Sequence, residues 1–324
     1  MENTIHANKQ VKKGKPNFPK RRKIDLSAYG FLSPALISIS VLSIAPILYT
    51  MYIAFTNFNS AHFLSYQWVG LKNFEAILNP NNPLSTLFIP TLIWSLFFAV
   101  VSTLLNYFVG LTLAVILNNK NMKEAALYRS ILIIPWAVPA LISLLAWQGL
   151  LNDTYGQINA LLQSIGLPRI PWLNDPTWAK ASIIMVNLWA GFPYMMTVCL
   201  GALQAVPNEL YEASAMDGAK WFQQFRLITL PVIWKISLPL IIPSFAFNFN
   251  NFNAVYLLTQ GNPARSDNQF VGYTDNLASA AYKMTLTFNR FDLSATISII
   301  LFIFVGVLTL IQMKYTRAFE ESDN

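Results

Sequence analysis

The sequence predicts an all-α polytopic membrane protein with six transmembrane helices. Of its 324 residues, 54% are hydrophobic and only 11% are charged, whereas about 25% of the residues in a typical soluble domain are charged. This composition excludes an ordinary soluble enzyme and a disordered chain, since both need more charge. Six long runs contain no Asp, Glu, Lys or Arg. Helices are predicted in these runs because a barrel would show alternating strands of about ten residues.

The uncharged runs define where the helices lie. Each run offers about 20 or more largely apolar residues, the length that an α-helix needs to cross a bilayer. The first two runs are longer than one span, but their polar, turn-forming ends indicate one helix in each. The predicted helices cover residues 29–56, 86–117, 126–150, 179–204, 233–258 and 292–313.

The distribution of Lys and Arg predicts the orientation. If the N-terminus is cytoplasmic, the cytoplasmic side carries 16 of these residues and the opposite side carries 6, so the positive-inside rule places both termini in the cytoplasm. Residues 1–25 are then a basic cytoplasmic tail, residues 26–318 the transmembrane domain, and residues 319–324 a C-terminal tail. The basic tail could bind nucleic acid, but a topology signal beside anionic lipid is preferred, and no nucleic-acid partner is expected.

Few residues are suited to catalysis or metal binding. Cys199 is the one cysteine, and the two histidines, His6 and His62, are far apart, so neither a disulfide nor a metal site is expected. The sequence contains no Gly-x-x-x-x-Gly-Lys-Ser/Thr motif, so this chain is not expected to bind ATP. Because the interiors of the predicted spans hold no His, Lys or acid to act as a base, the chain is not expected to be an enzyme.

An unusual loop, residues 205–231, joins the fourth and fifth predicted helices on the cytoplasmic side. Pro207-Asn208 is typical of a helix start with the asparagine as its cap. Asp217-Gly218 is typical of a helix stop, in which the glycine adopts a positive φ. A second amphipathic stretch covers residues 219–230, and Pro231 ends it. The loop could be an interfacial hairpin lying on the membrane or a docking element for a soluble partner.

Two segments of this loop carry a family resemblance. Residues 212–219 read Glu-Ala-Ser-Ala-Met-Asp-Gly-Ala and residues 228–231 read Ile-Thr-Leu-Pro, which resembles the EAA motif of ABC importer permeases. Over residues 25–318 the chain is similar to permeases of the MalF type from maltose and maltodextrin importers. The resemblance implies the type I ABC importer permease fold, with the loop as a coupling helix that docks into an ATPase subunit. The residues implied at that joint are Glu212, Ala213, Asp217, Gly218, Leu230 and Pro231.

The same resemblance implies the partners and the function of the chain. The partners are a second, MalG-like permease subunit, a pair of ATPase subunits, an extracytoplasmic sugar-binding protein and an oligosaccharide. The ATPase subunits would bind ATP and Mg, so no cofactor is expected in this chain. The implied function is a permease subunit of the bacterial cytoplasmic (inner) membrane, which imports maltose or maltodextrin-like oligosaccharides and couples ATPase motion to alternating access.

Polar residues inside the fifth predicted span indicate a ligand path. Asn248, Asn250, Asn251 and Asn253 lie in an otherwise apolar segment, where an unsatisfied amide is energetically costly. These amides could line a ligand path or form hydrogen bonds between helices, and both interpretations stay open.

Aromatic and amide side chains at helical spacing predict a sugar site. A sugar has apolar C–H faces and hydroxyl groups, so aromatic rings, neutral amides and the gap beside a glycine suit it. In MalF-type permeases the matching residues of the fourth and fifth helices contact maltose, as does a Tyr-Ala-Val-Pro-Ser segment that reads Trp136-Ala137-Val138-Pro139-Ala140 here. The predicted substrate-binding residues are Asn187, Gly191, Tyr194, Phe247, Asn248, Asn251 and Trp136.

Two alternative functions stay open at this point. Trp136 keeps a stacking surface, but Ala140 carries no hydroxyl, so the substrate could be another glycan such as a cyclodextrin. An ion-coupled secondary sugar transporter is the second alternative. The absence of Asp and Glu from the interiors of the predicted spans counts against it.

Overall fold

The computed structural model describes residues 26–119 and 121–315, and the predicted tails at 1–25 and 319–324 lie outside them. Within the described ranges the regular structure is helical, and β pairing is limited to two isolated bridges, Thr56 with Trp68 and Ala264 with Gly272. The described helices are α1 (Leu26–Ile39), α2 (Ala45–Ile53), α3 (Lys72–Leu78), α4 (Ser85–Leu117), α5 (Ala125–Leu132), α6 (Ile134–Ala137), α7 (Ala140–Leu150), α8 (Gln157–Ser164), α9 (Pro176–Gln204), α10 (Asn208–Met216), α11 (Trp221–Gln224), α12 (Leu230–Phe249), α13 (Phe252–Thr259), α14 (Leu277–Leu286) and α15 (Phe291–Tyr315).

The predicted membrane spans are present in the described residues. Five helices are long and apolar enough to cross a membrane, and a sixth crossing results if the bent pair of α5–α6 and α7 counts as one span. The prediction of an all-α polytopic membrane protein is therefore confirmed. The first span covers Gly30–Ile53 and ends earlier than the predicted residue 56, because Thr56 already pairs with Trp68 in a bridge. The chain divides into two units between Leu48 and Tyr49.

The third predicted helix, 126–150, is broken rather than continuous. Its two parts, Ala125–Ala137 and Ala140–Leu150, meet at an angle of 90°. Val138 has an extended backbone with ψ 136°, and Pro139 has ψ 127°. A residue before proline is disfavoured in the α conformation, and proline has no N–H for the ladder. The prediction of one helix here was wrong because this proline breaks the helix instead of kinking it.

The fifth predicted helix, 233–258, starts earlier and contains a break. The prediction that Pro231 ends the preceding stretch was wrong, because the apolar run is helical from Trp221 through α12. A π-helical turn at Phe225–Thr229 directly precedes α12, and its wider geometry gives the proline ring room against the preceding turn. Helix α12 ends at Phe249, and α13 restarts where the Asn251 side chain accepts a hydrogen bond from the N–H of Ala254 at 3.1 Å.

The packing of the second unit centres on α4 and α9. Their backbones approach closely at Gly110, where a Cβ would lie 2.6 Å from the backbone nitrogen of Met196. Membrane helices associate through close van der Waals packing of this kind, because the hydrophobic effect does not drive their association in lipid. Helix α12 packs against both. The buried side chains of this cluster include Tyr107, Leu111, Met195, Cys199, Ala202 and Ile233.

A buried ion pair organises the loop between α13 and α14. The Asp275 carboxylate accepts hydrogen bonds from Lys283 Nζ at 2.6 Å and from the N–H of Gly272 at 2.7 Å. Its side chain is fully buried, so these donors replace the water it has lost. In the same loop, Arg265 pairs with the more exposed Asp267. That hydrogen bond holds the pKa of Asp267 below its ordinary value.

We expect Asp275→Asn to destabilise the protein strongly. The substitution keeps the size of the side chain but leaves Lys283 largely buried without a carboxylate, which costs about 3–5 kcal/mol. The matched control, Asp267→Asn, breaks a more exposed pair and costs under about 1 kcal/mol. Thermal unfolding of both variants in detergent measures the difference. Equal melting temperatures would show that the Asp275 pair does not hold the loop.

Candidate functional site

The residues predicted to bind substrate come together in one cavity. Its volume is about 750 Å³, and α4, α6, α7, α9, α12 and α13 contribute to its wall. All seven predicted residues line it: Trp136, Asn187, Gly191, Tyr194, Phe247, Asn248 and Asn251. The cavity therefore lies between the broken third span and the fourth and fifth spans, which carry the predicted polar residues.

Buried amides form a hydrogen-bonded network at this cavity. Asn187 donates through Nδ2 to Asn248 Oδ1 at 3.1 Å, and Asn251 Nδ2 donates to Asn187 Oδ1 at 3.0 Å. Asn248 in turn donates to Thr103 Oγ1 on α4 at 3.1 Å. The same asparagines therefore form hydrogen bonds between helices and line the cavity, so they are compatible with both interpretations of these residues. Asn253 lines it as well, whereas Asn250 follows the end of α12 and is not among the lining residues.

Three aromatic residues of the cavity lining are exposed. Trp136, Tyr194 and Phe247 are 57%, 37% and 72% exposed. The rings of Trp136 and Tyr194 lie 6.3 Å apart, tilted by 37°. Trp136 is on α6, two residues before the extended Val138, and its ring lies beside that of Tyr194 on α9. The cavity pairs apolar ring surfaces with a buried amide network.

The space beside Gly191 is already occupied. A Cβ at this glycine would lie 2.5 Å from Nδ2 of Asn106 on α4. The expected gap for a ligand is therefore filled by a side chain of the protein. Asn106 is one of the cavity residues that the sequence analysis did not identify, together with Ser143 and Ser244. A search of the second predicted span for polar residues, as was done for the fifth, would have found Asn106.

The predicted joint residues fall into two parts of the loop 205–231. Glu212 and Ala213 are on α10, Asp217 and Gly218 form the turn that follows, and Leu230 and Pro231 begin α12. Gly218 has φ +78°, as predicted for a glycine at a helix stop. The prediction of Asn208 as the cap was wrong, because Pro207 is the last non-helical residue, with ψ 134°, and the helix begins at Asn208 itself.

Hydrogen bonds tie α10 to the helices that follow it. The Tyr211 hydroxyl lies 2.8 Å from Thr229 Oγ1. Gln224 Nε2 donates to the carbonyl oxygen of Tyr211 at 3.1 Å and to Ser214 Oγ at 2.9 Å. The opposite surface of the loop leaves apolar side chains exposed, among them Met216 at 89%. Helix α10 is thus fixed to the base of α12 and presents an unpartnered surface.

The described residues contain no group of three or more His, Cys, Asp or Glu side chains that could hold a metal ion. The cavity itself is lined by neutral residues throughout. Its chemistry is that of binding, by ring stacking and by neutral hydrogen bonds.

Apolar spans around a neutral cavity, with an exposed helix fixed to the base of one span, define a membrane transport subunit. The chain belongs to the family described as binding-protein-dependent transport system inner membrane component, whose profile matches residues 106–318. The prediction of an ABC importer permease of the MalF type is confirmed. Membership of this family argues against the alternative of an ion-coupled secondary sugar transporter.

The chain is similar to known sugar permeases over most of its length. The galactooligosaccharide transport system permease GanP of Bacillus subtilis is 37% identical over 297 residues, which are 90% of this chain and 71% of GanP. The maltose/maltodextrin permease MalF of Salmonella typhimurium is 42% identical over 253 residues, or 77% of this chain. That match covers 49% of MalF, so the chain spans about half the length of this relative.

A solved structure has the same fold. A chain of a bacterial ABC transporter involved in the import of the acidic polysaccharide alginate aligns with a TM-score of 0.75. The alignment covers 91% of this chain and 96% of the other, at 22% sequence identity. This likeness supports the predicted type I ABC importer permease fold.

We expect Asn187→Ala to destabilise the protein through the amide network. The change leaves Asn248 Oδ1 and Asn251 Nδ2 without their partner, at about 1–3 kcal/mol for each buried group. Asn253→Ala is the matched control, since Asn253 lines the same cavity but is exposed. Melting temperatures in detergent compare the two variants. If both melted alike, the network would not hold α9 to α12.

Proposed function

We propose that this chain is the permease subunit that carries a neutral oligosaccharide, of the maltodextrin or galactooligosaccharide class, through the membrane. The observation that carries the proposal is the lining of the cavity. It joins three exposed aromatic rings to neutral amides, and no charged side chain is among the described residues that line it. Similar relatives are named for maltose/maltodextrin and for galactooligosaccharides.

The chemistry of the lining favours a neutral sugar over an acidic one. A carboxylate taken into a site without cations would lose its hydration and gain no compensating charge. A neutral sugar instead stacks its C–H faces on rings and exchanges hydrogen bonds with amides, which both donate and accept. Because Asn187, Asn248 and Asn251 hold one another in place, little side-chain freedom is lost on binding.

A single helix supports coupling between the loop 205–231 and the cavity. Helix α12 has 20 residues, from Leu230 beside α10 to Phe249 beside the amide network, and so extends about 30 Å. Its cavity end carries Phe247 and Asn248. A displacement of α10 would act on the base of α12 through Tyr211 and Thr229, and a rigid helix would transmit it to the cavity.

The partners in this proposal follow from the exposed loop and from the absence of an ATP-binding motif. A pair of ATPase subunits would bind ATP and Mg and receive α10 with its exposed Met216. A second permease subunit would complete the pathway, and an extracytoplasmic binding protein would deliver the sugar. Both termini and the loop 205–231 would lie in the cytoplasm, on the side favoured by the positive-inside rule.

The proposal is tested by ATPase activity and sugar uptake of the reconstituted importer. The chain is combined with its second permease subunit, ATPase and binding protein in proteoliposomes, and maltotriose, galactotriose and a cyclodextrin are compared. We expect stimulation that requires both the binding protein and a linear sugar. Stimulation by the cyclodextrin alone would change the proposed substrate from linear to cyclic glycans. ATPase activity that no sugar stimulates would overturn the glycan assignment.

Phe247→Ala tests the stacking surface in the same assay. Loss of one stacking ring removes about 0.5–1.5 kcal/mol, so uptake falls about 2- to 12-fold. The control Phe302→Ala removes a ring of similar exposure, 64% against 72%, on α15 and outside the cavity lining. Equal uptake by the two variants would contradict a role of Phe247 in sugar binding.

Gly218→Val tests the coupling loop. Gly218 has φ +78°, a conformation that a β-branched residue adopts only with strain, so α10 shifts and sugar-stimulated ATPase activity is lost. Gly166→Val is the matched control, because Gly166 has φ +79° and equally open surroundings but follows α8. If the Gly166 variant lost coupling to the same extent, general strain and not the loop would explain the result.

A further inference from the structure

Two polar side chains of the cavity stand apart from the amide network. Asn106 on α4 and Ser143 on α7 both line the cavity. Each side chain belongs to a residue that is only 6% exposed. Neither Asn106 Oδ1 nor Ser143 Oγ has a hydrogen-bond partner among the described residues. These two atoms are thus buried polar groups of cavity-lining residues, and the described part of the fold leaves them unsatisfied.

Such atoms are costly, and of the four among the described residues, those of Asn106 and Ser143 belong to the cavity lining. A buried oxygen without a partner costs about 1–3 kcal/mol, so each case in a native protein calls for an explanation. Several other buried hydroxyls of the spans are satisfied by the preceding turn. Ser95 donates to the carbonyl oxygen of Thr91 at 2.7 Å, and Ser237 donates to that of Ile233 at 2.7 Å. Ser143 does not make this bond, although it lies within α7.

Gly191 explains how the Asn106 side chain is placed. A Cβ on Gly191 would lie 2.5 Å from Asn106 Nδ2 and 3.0 Å from its Oδ1. Any larger residue at this position of α9 would displace the amide. The glycine therefore lets α4 and α9 pack closely while the Asn106 amide reaches the cavity wall between them. The absence of a side chain at Gly191 thus makes room for Asn106 on the neighbouring helix.

We propose that Asn106 and Ser143 form a second hydroxyl-binding subsite of the cavity, separate from Asn187, Asn248 and Asn251. The proposal rests on the proposed function and adds residues to it. Asn106 Oδ1 accepts only, so its partner has to donate, whereas Ser143 Oγ can donate or accept. A sugar hydroxyl does both and fits either atom, while an anionic group has no proton to give to Asn106 Oδ1. At Asn106 Oδ1 the subsite therefore favours a hydroxyl group over an anionic group.

The test uses variants of similar size in the complete importer. Asn106→Leu replaces the amide by an apolar group of nearly the same volume, and Ser143→Ala removes the hydroxyl. The matched control is Ser102→Ala. Ser102 lies one turn before Asn106 on α4, and its Oγ is also buried without a partner, but it does not line the cavity. Uptake of maltotriose and galactotriose into proteoliposomes and the melting temperature are measured for each variant.

We expect opposite effects on transport and on stability. Loss of one hydrogen bond lowers uptake of the sugar that the wild-type importer carries by about 2- to 12-fold in Asn106→Leu and in Ser143→Ala. The melting temperatures stay equal to that of the wild type or rise, because an unsatisfied oxygen has been removed. Ser102→Ala keeps wild-type uptake. A purely structural role of Asn106 or Ser143 would lower stability together with transport.

The outcomes separate this inference from the proposed function. If the wild-type importer takes up neither sugar, the proposed function fails and the subsite fails with it. If the wild type transports and both cavity variants match it, the subsite is wrong and the proposed function stands. Should Asn106→Leu fold poorly, the smaller change Ser143→Ala decides, and uptake equal to that of Ser102→Ala overturns the proposal.

Discussion

An amide inside an apolar span has to find a partner within the protein, and this constraint determines how the central helices meet. Asn187 satisfies it in two directions, donating to Asn248 and accepting from Asn251. Asn248 extends the chain of bonds to Thr103. Helices α4, α9 and α12 are therefore held at one depth and one rotation, since a shift of any one would leave buried amides unsatisfied. The same three asparagines form part of the cavity wall.

The breaks in the helices depend on the same need to satisfy polar groups within the protein. Asn251 supports the break between α12 and α13, because its side chain accepts from the N–H of Ala254 while its amide nitrogen donates to Asn187. Val138 and Pro139 line the cavity, and non-helical backbone at membrane depth is tolerated where it lines a cavity. Both breaks turn side chains toward the cavity: Trp136 at one of them and the asparagines at the other.

Local signals were enough to predict the spans, the positive φ of Gly218 and the cluster of cavity residues on α9 and α12. These features depend on composition, on turn chemistry and on helical spacing, which are all readable along the chain. The 90° break and the continuation past Pro231 were not predictable in this way, because a membrane-helix proline can kink, break or be absorbed by a π turn. Asn106 was missed although it is a polar residue within an apolar predicted span, and only its close approach to Gly191 across the helix interface was not readable from the sequence.

The third span carries a hydroxyl at a position other than the one that the family resemblance implies. The resemblance to MalF-type permeases implies a serine at the position of Ala140, which carries no hydroxyl. Ser143 lies three residues further along α7, and both residues line the cavity. Residues at this spacing share one helix face, so this face carries a hydroxyl one turn beyond Ala140. Trp136 and Ser143 thus place an aromatic ring and a hydroxyl in the cavity lining on either side of the break at Val138 and Pro139.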